Sequence, residues 1–285
     1  VIPAKFDYVA PTSVEDALAA IAEAGDDIEI MGGGQSLLPV LRMRLNAPEV
    51  VIDLGRIDSL RGVREDGDAL VIGAMTTHAE MITNDLVREH ALLLSKTAAE
   101  VADIQIRRRG TFGGSCVHAD PAGDMGAAAL AMDAEFMISG SGGTRTVAAS
   151  DFFVDLFETA CGDDEILTEI RVPKKTGWGA RYEKFVRTMQ QWSIVAVAAT
   201  VDISGGMINE AKVALTNMGS TPLRATATES ALAGVAATED GVRAAAEQAA
   251  RGTNPPSDLN GTADYRRHLA TVLTRRAVLK AAGAE

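Results

Sequence analysis

The sequence predicts an α+β fold in two units, and three observations carry that prediction. Short apolar, β-branched runs alternate with helical patterns up to about residue 170. A polar stretch, Lys174-Lys175-Thr176-Gly177, then breaks the pattern. Three strand-like runs follow, and after them only helices, the order expected of a small antiparallel sheet with a helical bundle. The boundary is placed so that the units are 1–177 and 178–285.

Each element has its own reason. Thr12-Ser13-Val14-Glu15 has the spacing of a capping box and opens a helix to about Ala24, where Gly25 ends it. Residues 28–31 form a short strand that runs straight into Met31-Gly32-Gly33-Gly34-Gln35-Ser36-Leu37, and Pro39 limits any helix beyond to a turn or two. Residues 50–54 and 69–74 read as buried strands, the second leading into Met75-Thr76-Thr77. Residues 79–101 read as helix. Next comes a second glycine loop, Thr111-Phe112-Gly113-Gly114-Ser115, directly after Arg107-Arg108-Arg109. An irregular stretch leads to a helix over 125–132 with Asp124 as its N-cap, then two strands around the turn at 140–143. In the second unit, strands over 180–187, 194–203 and 212–217 run antiparallel, with Gly205-Gly206 turning the chain between the last two. Helices over 225–233, 239–251 and 264–282 complete it.

Bulk properties exclude several classes. A nucleic-acid binder usually carries a basic face, and a net charge of −12 disfavours that class. The longest apolar stretch, 194–201, falls far short of the roughly 20 residues of a membrane span. Residues 1–6 show no signal-peptide pattern. The two cysteines, Cys116 and Cys161, fit a reducing compartment and cannot ligate a four-cysteine iron–sulfur cluster by themselves. The expected location is cytoplasmic, with any membrane contact peripheral, at the inner face.

The two glycine segments are the main chemical signal. Without a Cβ, backbone N–H groups can approach a ligand closely, and several aimed into one concavity make an anion site. Two such segments suit the two phosphates of a dinucleotide. A Rossmann fingerprint is not met: Gly32 and Gly34 fit, but Leu37 stands at the third glycine position and Pro39 cuts the helix, although Asp53 lies where a ribose-binding acid belongs. Gly-Lys-Ser/Thr of a P-loop is absent. Arg107 to Arg109 read as a solvated corner or as partners of a diphosphate. Cys116, His118 and Asp120 alternate and would share one face of an extended segment, as metal ligands, as a Cys–His nucleophilic pair, or as an inert thiol beside a hydrogen-bonding histidine. His78, His90 and His268 read as surface or packing residues. Trp192 is either a core or rim aromatic or a cover over a planar ring.

Taken in order, Gly32-Gly33-Gly34-Gln35-Ser36-Leu37-Leu38-Pro39, Ile72-Gly73-Ala74-Met75-Thr76-Thr77, Arg109-Gly110-Thr111-Phe112-Gly113-Gly114, Ala119-Asp120-Pro121-Ala122-Gly123-Asp124, Leu215-Thr216-Asn217 and Ala263-Asp264-Tyr265-Arg266 resemble the FAD-binding (medium) subunit of the molybdenum hydroxylase family. Among its members the chain most resembles those of aerobic carbon monoxide dehydrogenases. The resemblance covers nearly the whole chain. It implies a two-subdomain FAD-binding domain of the vanillyl-alcohol-oxidase/PCMH type, followed by a domain of the CO dehydrogenase flavoprotein type. It implies FAD bound by Met31 to Leu37 (Met31, Gly32, Gly33, Gly34, Gln35, Ser36 and Leu37), by Thr76, and by Thr111, Gly113, Gly114 and Ser115. Asp120 and Asp124 are further expected contacts, with Ile166 and Leu167 near the flavin ring and Trp192 beside it. No catalytic acid or base is expected from this chain.

Three positions depart from the family pattern: Ser115 where Asn or Asp is frequent, Gln35 where carbon monoxide dehydrogenases often have histidine, and Val186 in place of a lysine. By the same resemblance, a large subunit carries the molybdenum cofactor and a small subunit carries two [2Fe–2S] clusters. Three-subunit units pair into a dimer of heterotrimers, and FAD passes electrons to an external acceptor such as a quinone. Alternatives are an N-heterocycle- or aldehyde-oxidising complex, a free-standing flavin oxidase, and a non-catalytic interaction protein whose glycines only make turns.

Overall fold

A computed structural model describes residues 2–284. The first strands make a small parallel sheet in the order Asp7–Val9, Val50–Asp53, Ile28–Met31. The helix Val14–Ala24 packs on it through Ala17 and Ile21, which join Ile52, Leu54, Ile57 and Ile166 in one core. Its N-cap is Ser13, whose hydroxyl accepts the Asp16 N–H, one residue later than a box started by Thr12 would place it.

A second subdomain is built on a five-stranded antiparallel sheet, ordered Val63–Asp66, Ala69–Gly73, Ile166–Pro173, Glu135–Gly140, Gly143–Ala148. The expected long helix over 79–101 is three: His78–Thr83, Asp85–His90 and Leu92–Glu100. Local hydrogen bonding divides it. Thr77 and Glu80 form a reciprocal capping box, and Asn84 accepts the Val87 N–H to start the next helix.

The second unit carries the three expected antiparallel strands, Gly179–Phe185, Val195–Ser204 and Met207–Thr216, and a two-residue fourth, Leu223–Arg224, at the edge. Gly205 and Gly206 both have positive φ, as a tight hairpin turn requires. The Val195–Ser204 strand is buried on both faces. Val195, Val197, Ala199 and Val201 face a core that includes Leu269, Leu273 and Ala277 of the helix Ala263–Ala281. Ala196 and Ala198 face the core of the antiparallel subdomain, where the alanine-rich helix Asp124–Ala131 lies. The sheet is thus a shared wall between the units, which explains its unbroken apolar run.

Candidate flavin-binding site

The three bodies meet around a cavity of about 1170 Å³, somewhat larger than the usual small-molecule site. Both glycine segments reach it. The first leaves the strand Ile28–Met31, with Gly34 at φ +73° in the left-handed region. No hydrogen bond among the described residues occupies the N–H groups of Gly33, Gly34, Gln35 or Ser36. Gln35 folds back instead, its side-chain amide donating to Gly33 O at 3.0 Å. A turn with this many free, clustered donors suits an anion.

The second segment differs from the expected loop. Thr111 is the N-cap of a helix, Phe112–His118, and its hydroxyl accepts the Gly114 N–H at 3.2 Å. The Phe112 N–H donates to Thr76 O and the Gly113 N–H to Ala74 O, both at 2.9 Å. The glycines here permit close packing. A Cβ on Gly113 would lie 2.6 Å from that of Ala74, and one on Gly33 would lie 2.0 Å from Arg109 O. Towards the cavity this segment turns the half-buried Ser115, whose hydroxyl has no partner among the described residues.

All the expected contact residues except Met31 and Thr76 line the cavity. Met31 closes the strand before it. Thr76 is buried, and its hydroxyl is used twice by Gly62, accepting from the N–H at 3.0 Å and donating to the carbonyl at 3.1 Å. Ile166 and Leu167 are buried at the start of their strand, just before its register shift, and form one apolar wall. Val101, Ala102 and Ile106 supply more apolar wall that the sequence reading did not single out. Ala102 has φ +39°, and its carbonyl is held by Arg107 at 3.2 Å. Arg107 to Arg109 do not reach the cavity; Arg107 serves the backbone at Val101 and Ala102.

Asp124 is the polar centre. It begins the helix Asp124–Ala131 but is not its cap, which is Gly123. Its carboxylate accepts from Tyr182 Oη at 2.8 Å, Ser193 Oγ at 2.7 Å and Lys184 Nζ at 2.7 Å. Burial and the Asp124 charge hold the Tyr182 phenol well above its usual range, so it stays a donor. Lys184 and Asp124 form a salt bridge sealed from solvent, with side-chain exposures of 8% and 5%. Lys184 therefore brings a cation to the cavity two residues before Val186, where the sequence reading saw only a lost lysine. Its place in a strand, one position after the buried Glu183, gave no local signal.

The Cys116–His118–Asp120 alternation lies partly on a helix, so the three do not share an extended face. Cys116 is fully buried, and burial pushes its thiol far up. Asp120 accepts the Ala122 N–H in a local turn. His118 stacks obliquely between Phe157 and Trp192, with ring centroids 5.3 and 6.3 Å away. His78 also lines the cavity, but its ring is buried beside Gly110; burial and then the Arg107 charge push it down to about 4. Trp192 stands half-exposed at the cavity wall, as a rim aromatic.

Residues 4–175 match the FAD-binding domain of molybdopterin dehydrogenases, and residues 180–281 match the CO dehydrogenase flavoprotein C-terminal domain. The chain belongs to the FAD-binding subunits of the molybdenum hydroxylases. It is 40% identical to the carbon monoxide dehydrogenase medium chain of Hydrogenophaga pseudoflava, over 97% of each chain. It is 34% identical to the glyceraldehyde dehydrogenase medium chain of Sulfolobus acidocaldarius, over 96% of this chain and 98% of that one. A chain in the solved carbon monoxide dehydrogenase of Hydrogenophaga pseudoflava lacking the Mo-pyranopterin moiety superposes with a TM-score of 0.95 at 42% identity, covering 100% of this chain and 99% of that one. FAD is thus the cofactor of this flavoprotein family member, an oxidoreductase subunit. The free N–H donors, the Ser115 hydroxyl and the two apolar walls are the chemistry a flavin dinucleotide requires. No helix among the described residues is long and apolar enough to cross a membrane.

Proposed function

We propose that this chain holds FAD in the central cavity and relays electrons for a molybdenum-containing carbon monoxide dehydrogenase. The carrying observation is the first glycine segment: four N–H groups that no described residue occupies, on a turn that lines the same cavity as the Thr111–Ser115 segment. In this reading the diphosphate lies on Gly33 to Ser36 and Ser115, and Lys184 and Asp124 fix polar atoms of the cofactor. Ile166, Leu167 and Trp192 flank the ring, while Met31 and Thr76 support the turns. Bound FAD supplies electron-carrying chemistry; the protein fixes its place and its electrostatic surroundings. The electrons come from two [2Fe–2S] clusters in a small partner subunit, after oxidation at a molybdenum cofactor in a large one. They leave to an external acceptor such as a quinone. The assembly is a dimer of heterotrimers, and the chain divides into its two units at 177/178.

Support for CO as substrate is the likeness to carbon monoxide dehydrogenase medium chains. A second reading, an aldehyde- or N-heterocycle-oxidising complex, draws on the likeness at 34% identity to glyceraldehyde dehydrogenase medium chain. The visible spectrum of the complex purified through this chain from its native host, before and after anaerobic CO, separates the two. Flavin and iron–sulfur absorbance that bleaches is the expected result. The same absorbance unmoved by CO in a molybdenum-replete preparation would favour the second reading, and a colourless complex would sink both.

A further inference from the structure

The segment carrying Trp192 has no regular structure of its own. Residues 186–193 lie outside any strand or helix, Gln190 is left-handed at φ +70°, and Met189 is almost fully exposed. Something else must fix the indole at the cavity wall. Besides the Ser193–Asp124 hydrogen bond and the His118 ring contact, two chains of hydrogen bonds hold it, one on each side of Trp192, and they converge.

On the C-terminal side, Ile194 O accepts from Arg266 Nη1, and Ser193 O accepts from Asn217 Nδ2 at 2.7 Å. On the N-terminal side, Gln191 Nε2 donates to Asn260 Oδ1 at 3.2 Å. Asn260 belongs to the turn closed by its own N–H on Asp258 Oδ1 at 2.8 Å. That same oxygen accepts from Arg266 Nη2 at 2.7 Å. Arg266 is completely buried, and its Nε is without a partner among the described residues. A guanidinium sealed in this way is a poor device for stability, because desolvation offsets much of what the ion pair returns. It is a good device for geometry: its planar fork fixes two acceptors in one plane.

We infer that Arg266, on the last helix of the second unit, and Asp258, in the turn before that helix, are positioning residues that hold Trp192 against the cavity. The inference rests on the flavin reading for what Trp192 covers, but its mechanical content does not. Loosening the pair frees residues 190–192, and the indole then samples orientations that do not complete the wall.

The test uses the full chain with Trp178→Phe, which leaves Trp192 as the sole tryptophan, and reads nanosecond fluorescence anisotropy without flavin. Asp258→Ala is expected to speed local indole motion at least twofold while the melting temperature stays within about 3 °C of the parent. FAD titration of the same variant is expected to show binding about tenfold weaker, the scale of one charge-assisted hydrogen bond. Asp258→Asn keeps the acceptor oxygen and should restore most of both. Arg266→Met should match Asp258→Ala; if it does not fold, the half-exposed Asp258 still decides the matter. Unchanged indole motion in Asp258→Ala would overturn the inference. A parent chain that binds no FAD would overturn the functional reading instead, while the anisotropy comparison would still stand.

Discussion

The two glycine segments look alike in sequence and do different work. Gly33 to Ser36 follow a strand, and no described residue occupies their N–H groups. Gly113 and Gly114 open a helix whose first N–H groups are already committed to Thr76, Ala74 and Thr111. One segment presents donors; the other is glycine because side chains would collide with Ala74 and Thr111. A glycine motif therefore marks close approach, and only hydrogen-bond accounting tells whether the neighbour is a ligand or the protein itself.

Substitutions can break that contrast, beginning with the largest expected effect. Gly33 belongs to both roles, since its N–H is free but a Cβ would strike Arg109 O. Gly33→Ala should cost more than about 4 kcal/mol by chemical denaturation, besides losing FAD. A Gly33→Ala chain as stable as the parent would remove the packing argument. The root of the second segment is next. His78 packs on Gly110 and is held near pKa 4 against an ordinary 6.5. Its folded pKa is lowered, so the unfolded chain binds the extra proton and stability falls as pH drops from 6.5 towards 4. The parent should lose roughly 3 kcal/mol more than His78→Phe across that window, read from urea midpoints at each pH. Parallel pH curves for the two would show that the ring is not neutral and buried.

Ser36→Glu places a carboxylate among the free donors of the first segment without filling the packed interface. FAD affinity should fall about thirtyfold, near 2 kcal/mol, with the flavin-free melting curve unmoved. Smallest is Ser115→Ala, which removes the one free hydroxyl of the second segment and should weaken FAD binding several-fold, near 1 kcal/mol by titration. If Ser115→Ala outweighed Ser36→Glu, the assignment of donors to the first segment would be reversed.

Much of this was legible beforehand. The strand–glycine–short-helix order at Met31 to Leu37 and the hairpin at Gly205-Gly206 follow from local chemistry, and the structure places them as expected; Ile166 and Leu167 come from the family resemblance alone, and both line the cavity. What was missed depends on partners distant in sequence. Asp124 looked like a cap because local context favours that use of aspartate, yet Tyr182, Lys184 and Ser193 claim its carboxylate. Lys184 was hidden within an ordinary strand pattern, and its importance comes from a residue 60 positions away. His78 carries no sequence signature of burial. Thr76 is a ligand contact by the family resemblance alone; its hydroxyl is engaged by Gly62 and it does not line the cavity.

The shared wall made by the Val195–Ser204 strand limits how this protein can be recombined. Its alanine face fits the alanine-rich helix Asp124–Ala131 and its valine face fits the helix Ala263–Ala281. A chimera that takes its second unit from a relative imports one half of a close-fitting seam. Small residues opposite each other must then be exchanged as a set, because Ala196 and Ala198 are fully buried and extra methyl groups in a packed core force neighbours to shift. The natural unit of exchange in this chain is the helix and strand that meet at the seam, and a crossover at the exposed linker divides that unit.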